Sequence, residues 1–185
     1  TFDNCVVPAE ATLGAPGMAT RVGVVESFAL GYAAIYVGIA QSALTFATQY
    51  CQTKVFQPEN VPIAHDPTIQ RHIAEMAVPL EAARLLLYQA AQQWEAADVA
   101  TRGLLANRAK YLAMQVGLQV TTTAMQVVGG RSALKDFPVE RAYRDLRTCT
   151  LMPPTGDRML EAVGKAELGV ASSMFDFGAS GPAGR

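Results

Sequence analysis

This 185-residue chain has little of the residue chemistry that marks most enzymes on sight. It carries three cysteines, two histidines and one tryptophan, and only 17% of its residues are charged. Cys5, Cys51 and Cys149 are odd in number and far apart, which excludes a disulfide framework and any C-x-x-C zinc pair and fits a reducing cytoplasm. His65 and His72 stand seven apart across a proline helix start, a poor spacing for a shared metal, and solvated or capping roles account for both. No metal site is expected. There is no nucleophile elbow, no P-loop and no G-x-G-x-x-G. Fifteen basic residues against sixteen acidic ones leave a net charge of −1 with no basic patch, which argues against nucleic acid as a partner. The opening Thr1-Phe2-Asp3 does not resemble a signal peptide.

What the chain does have is apolar surface to bury. Half its residues are hydrophobic and its mean hydropathy is +0.16, so it is not a disordered segment, and its length suits one domain. The longest apolar run, residues 22–47, approaches the length of a membrane span. Glu26, Gln41, Ser42 and Thr45 interrupt it and no Lys/Arg cluster flanks it, so it reads as a helix buried among helices or at a subunit interface.

Residues 1–17 differ from the rest. Residues 1–8 read as one short extended strand, followed by a loop with Pro8, Gly14, Pro16 and Gly17. A lone strand needs a partner, so this segment is expected to be the remnant of a sheet lying outside the chain, poorly packed here. The remainder, residues 18–176, reads as a helical bundle, with a frayed tail over 177–185. Helices are expected near 20–53, 67–97, 99–128, 138–147 and 155–175. Asp66-Pro67 is an N-cap with proline at the first helical position, and Asp98 caps the third helix. Gly129-Gly130 closes that helix, Pro79 predicts a kink in the second, and Pro153-Pro154 separates the last two. Leu80, Ala83, Leu87 and Ala90 keep one face at helical spacing. The architecture is therefore an all-α, up-and-down bundle.

The residues taken singly have ordinary readings. Glu140, Arg141, Arg144, Asp145 and Arg147 form helix-surface ion pairs at spacings of three and four, and Trp94 and the methionines fill core or interface. Gly129-Gly130 is at least a helix stop and at most a place where a cofactor approaches the backbone.

Read together they resemble a family. Gln126-Val127-Val128-Gly129-Gly130, followed by Pro138-Val139-Glu140-Arg141 and Arg144-Asp145, is similar to the Q-x-x-G-G and P-x-E-R/K-x-x-R-D motifs of acyl-CoA dehydrogenases, at the family's spacing. Phe2 to Pro8, with Leu13-Gly14, resembles the point where that family's β-domain passes into its C-terminal helical domain. Gly38, Ala40, Ala43, Leu44, Tyr50 and Phe56 match the first long helix, and Ala74-Glu75-Met76 the second. The resemblance implies a flavoprotein of fatty-acid metabolism that binds FAD and dehydrogenates an acyl-CoA thioester between its α and β carbons. It implies a homodimer or tetramer in which Gln126, Gly129 and Gly130 approach the dinucleotide of a neighbouring subunit, with Phe56 near the same cofactor. Thr155 falls on the threonine that meets the flavin at the start of the last helix.

The same resemblance exposes departures. The usual catalytic glutamate falls at Pro153, and the alternative base position, on the first long helix, falls at Phe28. Neither can take a proton. Ala29 replaces an arginine that assists at the acyl-CoA site, Thr53 an arginine of the flavin site, and Gln57 a glycine. Glu26 is two residues from the helix position, about 200° around the helix, and should face elsewhere. Asp157 is the nearest carboxylate in sequence, on the first turn of the last helix, where the macrodipole lowers its basicity. Three functions are consistent with this pattern: an acyl-CoA dehydrogenase with its base elsewhere, a non-catalytic partner of a catalytic subunit, or a flavin-free assembly module. The small-residue face of helix 20–53 and the last helix are expected to be buried between subunits.

Overall fold

Proline-led starts and glycine stops set most of the helix ends in the computed structural model, which describes residues 1–15, 17–58 and 60–170. A short α1 (Met18–Arg21) precedes α2 (Val24–Thr53). The expected single start at residue 20 is corrected here, because Gly23 takes the left-handed conformation (φ +79) and breaks the helix before Val24. After α2, Val55–Phe56 (β1) pairs antiparallel with Val61–Pro62 (β2), Val55 opposite Pro62 and Phe56 opposite Val61. This small hairpin was not expected: the stretch between its strands reads as a helix stop, and Asn60, at φ +53, supplies the left-handed corner that turns it back.

Asp66 accepts a hydrogen bond from the Thr68 amide at 2.7 Å and starts α3 (Pro67–Gln93). Pro79 lies inside α3 without ending it. The helix stops four residues before the expected 97, where Arg102 Nε donates to the Trp94 carbonyl at 2.8 Å and its guanidinium sits 5.7 Å from the Trp94 ring centre. Asp98 caps α4 (Val99–Val128) by accepting from the Thr101 amide at 2.8 Å. A 3₁₀ turn, Gly129–Ala133, leads to α5 (Pro138–Cys149), two residues longer than expected. Its terminal carbonyl, on Cys149, is satisfied by the Tyr36 hydroxyl at 2.9 Å. The last described helix is α6 (Gly156–Glu167), closed by Gly169 at φ +69, so that residues 168–170 leave the expected helix. Residues 171–175 of that expected helix and the 177–185 tail lie outside the described residues.

Residues 1–15 are exposed throughout and form no ladder; the strand expected over residues 1–8 is absent, because the described residues offer it no partner, and one 3₁₀ turn, Ala9–Ala11, follows that stretch.

The bundle is built around α4, which packs against α2, α3, α5 and α6. Tyr32 meets Lys110, and one turn later Tyr36 meets Gly117, so α2 and α4 run in the same direction. The helix α3 packs against both: Arg84 bonds to Gln41, and Gln119 to the Glu75 carbonyl at 3.5 Å. Ala33, Ala40, Ala43 and Ala47 of α2 are buried inside this one chain. For these alanines that corrects the expectation of burial between subunits, since they bring α2 close to its own neighbours. Gly31, Ala34 and Gly38 are the small residues left exposed. By length and composition α2 is the one described helix that could cross a membrane, and its alanine row packs within the bundle. On α5, Arg144 holds Glu140 at 2.7 Å and Arg141 holds Asp145 at 3.4 Å, the surface pairs their spacing predicts.

Candidate functional site

Two regions collect the residues singled out above. The first is the C-terminal end of α4. Gly129 turns the chain at φ +74, a conformation that side chains resist, and the residue after it keeps its backbone open. A Cβ added at Gly129 or Gly130 would meet nothing within 4 Å. Gln126, Gly129 and Gly130 line an open hollow of about 570 Å³ together with Thr122, Met125, Ser132 and Tyr143. The Gln126 amide supplies a donor and an acceptor, Ser132 and Tyr143 add hydroxyl-bearing side chains to the lining while the Thr122 hydroxyl donates to the Leu118 carbonyl at 2.7 Å, and the glycines expose peptide groups. Phe56 is exposed on the hairpin, with Lys54 Nζ 4.9 Å from its ring centre, and is not part of this lining.

The second region lies near the start of α2. Phe28, 62% exposed, lines an apolar groove of about 470 Å³ with Val24, Ser27, Gly31, Tyr32 and Ile35. Glu26 points the other way, as the helical geometry predicts: it is 6% exposed, near Gly23 and Val99, and its Oε2 has no hydrogen-bond partner. Asn107 Oδ1 is likewise buried and unpartnered.

Behind the groove, Tyr32 stacks on Tyr36 with ring centres 6.1 Å apart, and Lys110 Nζ lies 5.1 Å from the Tyr32 ring centre. Lys110 is fully buried, and its Nζ donates to the Met152 carbonyl at 2.8 Å and the Pro154 carbonyl at 2.9 Å. Pro153 stands between those two carbonyls, on the segment that leads to Thr155 and α6. The two positions expected for a base, Phe28 and Pro153, therefore border one assembly. Burial pushes the Lys110 ammonium down to about 8, only partly opposed by Cys149. Burial also raises the thiols of Cys149 and Cys51 and the Tyr36 phenol.

Thr155 is exposed at the start of α6 and its side chain makes no capping bond, so its hydroxyl is free to meet a ligand. Asp157 is exposed on the first turn. Gly156 packs on Tyr111 and Met114. From there to Gln126 and Gly130 is about 20 Å along α4, so one copy of the chain does not bring Thr155 and the diglycine together. His65 is exposed at the end of a 3₁₀ turn and His72 Nδ1 is 3.2 Å from Glu75; among the described residues no three His, Cys, Asp or Glu side chains gather as a metal site would require.

Sequence reasoning passed over Lys110, Tyr32 and Tyr36. A signal was present: Lys110 shares the face of α4 that carries Gly103, Ala106, Ala113, Met114 and Gly117, a lone charge in a buried stripe.

The sequence profile of the acyl-CoA dehydrogenase C-terminal domain matches residues 15–168. The chain belongs to this family. It is 36% identical over 169 residues to cyclohex-1-ene-1-carbonyl-CoA dehydrogenase of Geobacter metallireducens, covering 90% of this chain and 44% of that one. It is 36% identical over 142 residues to 3-(aryl)acrylate reductase of Clostridium sporogenes, covering 76% of this chain and 36% of that protein. Among solved structures it is similar to butyryl-CoA dehydrogenase of Megasphaera elsdenii, with a TM-score of 0.78, 32% identity, and coverage of 88% of this chain and 42% of that one. The chain spans less than half the length of these relatives. As an acyl-CoA dehydrogenase C-terminal domain it carries no ionisable side chain at Phe28 or Pro153, and the buried Glu26 does not substitute at the groove.

Proposed function

We propose that this chain is the helical domain of an FAD-dependent acyl-CoA dehydrogenase-like oxidoreductase that supplies flavin contacts and assembly but no proton-abstracting carboxylate. The observation that carries this reading is the apolar character of both expected base positions: Phe28 opens into an apolar groove, and Pro153 is backed by an ammonium already committed to two carbonyls. The residues present fit FAD. An open hollow with a bare diglycine, a free amide and hydroxyls suits a dinucleotide, and an uncapped Thr155 hydroxyl at a helix start suits a polar ring edge.

When bound, FAD supplies the acceptor for the hydride that leaves the β-carbon of an acyl-CoA thioester. This chain's residues act around that step. Gln126 and the peptide groups of Gly129 and Gly130 bind the dinucleotide, and Thr155 orients the flavin edge. Phe28, with Val24 and Ile35, excludes water from the acyl chain. The α-proton must go to a carboxylate within about 3 Å, and the groove has none lining it. We therefore favour a partner subunit as the source of the base, a reading that the loss of both family carboxylates supports over a simple displacement along α6 to Asp157. The test is flavin bleaching by a panel of acyl-CoA esters, using the full-length protein with and without a catalytic partner chain. No bleaching alone and bleaching on addition of the partner is expected. Rapid bleaching without a partner overturns the reading, and its loss in Asp157→Asn would then identify Asp157 as the base.

The separation of Thr155 from the diglycine supports a dimer or tetramer, in which two copies complete each dinucleotide site. The outer face of α2, with Gly31, Ala34, Ile35 and Gly38 exposed, offers a surface for close approach. Light scattering at micromolar concentration should give a mass of two or more subunits; a strictly monomeric species would count against it. Exposed Phe2, Val6 and Leu13 support reading residues 1–17 as the edge of a β-domain in the larger protein, and the free thiols of Cys51 and Cys149 support a cytoplasmic location.

A further inference from the structure

Lys110 is the largest charged side chain in the interior, and no surface ion pair or cofactor contact accounts for it. Its own helix gives it no carboxylate. The titratable groups facing it are Tyr32, whose ring lies under Nζ, and Cys149 at the end of α5; α6 sets Gly156 against Tyr111 and Met114 one turn further along α4, and its Glu167 is taken by Arg108. Its hydrogen-bond partners are backbone carbonyls two residues apart, on Met152 and Pro154. A second side chain grips the same segment from α2, where the Tyr36 hydroxyl donates to the Cys149 carbonyl at 2.9 Å. The segment's own backbone bonds lie at its two ends: the amides of Thr150, Leu151 and Met152 reach back to Leu146 at 3.3 Å, Thr148 at 2.9 Å and Cys149 at 3.2 Å, and the Thr155 carbonyl accepts from the Met159 amide at 3.0 Å. Between those ends, Pro153 and Pro154 donate no backbone hydrogen bond, and Lys110 of α4 supplies the side-chain bonds to the carbonyls on either side of Pro153.

We infer that Lys110 is a positioning residue, whose buried Nζ pins the backbone on both sides of Pro153 and thereby fixes where Pro153 and Thr155 stand. Any effect on the flavin rests on the reading above that Thr155 faces it; the pinning itself does not.

The pH dependence follows from the same geometry. Inside the closed segment the ammonium is pushed down to about 8 from an ordinary 10.5 by burial. A neutral amine still has two N–H donors, one for each carbonyl, and no longer bears the cost of a buried charge. Opening the segment hydrates Nζ and restores its ordinary affinity for the proton. Through Nζ the closed form is favoured as pH rises above 8 and the segment should open less often, until Cys149 and Tyr36, both raised by burial against the same segment, oppose that gain above about pH 9.

The experiment is amide hydrogen exchange on the full-length flavoprotein, wild type against Lys110→Met, read as protection factors so that the intrinsic pH dependence cancels. In Lys110→Met the Leu151 and Met152 amides should lose protection about tenfold or more, while amides in the middle of α4 keep theirs. In the wild type the same two amides should gain protection as pH rises through 8, and in the variant they should not. Unchanged protection at Leu151 and Met152 in the variant overturns the inference. If the variant does not fold, the wild-type profile alone decides: a rise through pH 8 supports the pin, and a flat profile overturns it. Flavin affinity, measured on the same samples, separates the two readings. A released segment with unchanged flavin binding keeps the pin and removes Thr155 from the flavin site.

Discussion

Leu146→Ala should cost about 2–5 kcal/mol of stability, the range for truncating a fully buried leucine. Leu146 is 0% exposed and is the main apolar anchor of α5, whose other faces carry Glu140, Arg141, Arg144, Asp145 and Arg147. It enters a gap made by Gly117 on α4: a Cβ at that glycine would lie 2.5 Å from Leu146 Cδ1 and 3.7 Å from the Tyr36 carbonyl oxygen. A knob seated against backbone leaves a cavity that its surroundings cannot easily close. Urea unfolding should show a lower midpoint with little change in slope. Adding Gly117→Ala to Leu146→Ala should restore part of the loss, because a methyl enters the vacated space and a helix-interior glycine is removed at a gain of about 1 kcal/mol. In the wild-type background the same Gly117→Ala must displace Leu146 and should not help. Arg141→Ala, on the exposed face of α5, should leave the midpoint within error. A Leu146→Ala protein within about 1 kcal/mol of wild type would show that α5 does not depend on this contact.

Stability should also depend on pH through Lys110, with a contribution of about 3 kcal/mol. Its folded value is about 8 against an ordinary 10.5, so between those limits the unfolded chain holds more protons than the folded one. Stability from this group therefore rises with pH across that window, and below it the full cost of the buried ammonium is present in the folded state. Other buried groups act in the opposite direction. Cys51 and Cys149 are raised from 9.0 and the Tyr36 phenol is raised from 10.0, so each makes the folded state hold its proton longer and lowers stability as the solution becomes more alkaline. The wild-type curve should rise from pH 8 to about 9 and then flatten or fall. The difference between wild type and Lys110→Met removes the shared groups and should climb through the whole window. A difference curve that is flat from pH 8 to 10.5 would mean that Nζ keeps its ordinary proton affinity in the fold, and that water reaches it.

Much of this protein was determined by its sequence alone. Asp66-Pro67, Asp98 and Gly129 set helix ends through local rules of capping and backbone freedom, and those ends appear where the residues put them. The spacing of Leu80, Ala83, Leu87 and Ala90 marks the buried face of α3 for the same reason, since helical periodicity is a local property. The family motif around Gln126 and Gly130 was readable because its residues are contiguous at one helix end. The arrangement that links distant segments was not readable. The end of α3 at Gln93 depends on Arg102 taking the Trp94 carbonyl, and the burial of the α2 alanines depends on α4 packing beside them. Whether Phe28 or Glu26 faces the groove depends on the rotation of α2 that this packing selects. The assembly at Lys110 joins α2, α4, the end of α5 and the Pro153 segment across 42 and 44 residues of chain. A lysine in an apolar stripe announces that a partner must exist, because a buried charge without hydrogen bonds is too costly to keep. Only the tertiary structure decides that the partners are the carbonyls of Met152 and Pro154, since backbone acceptors are present at every residue and carry no mark in the sequence.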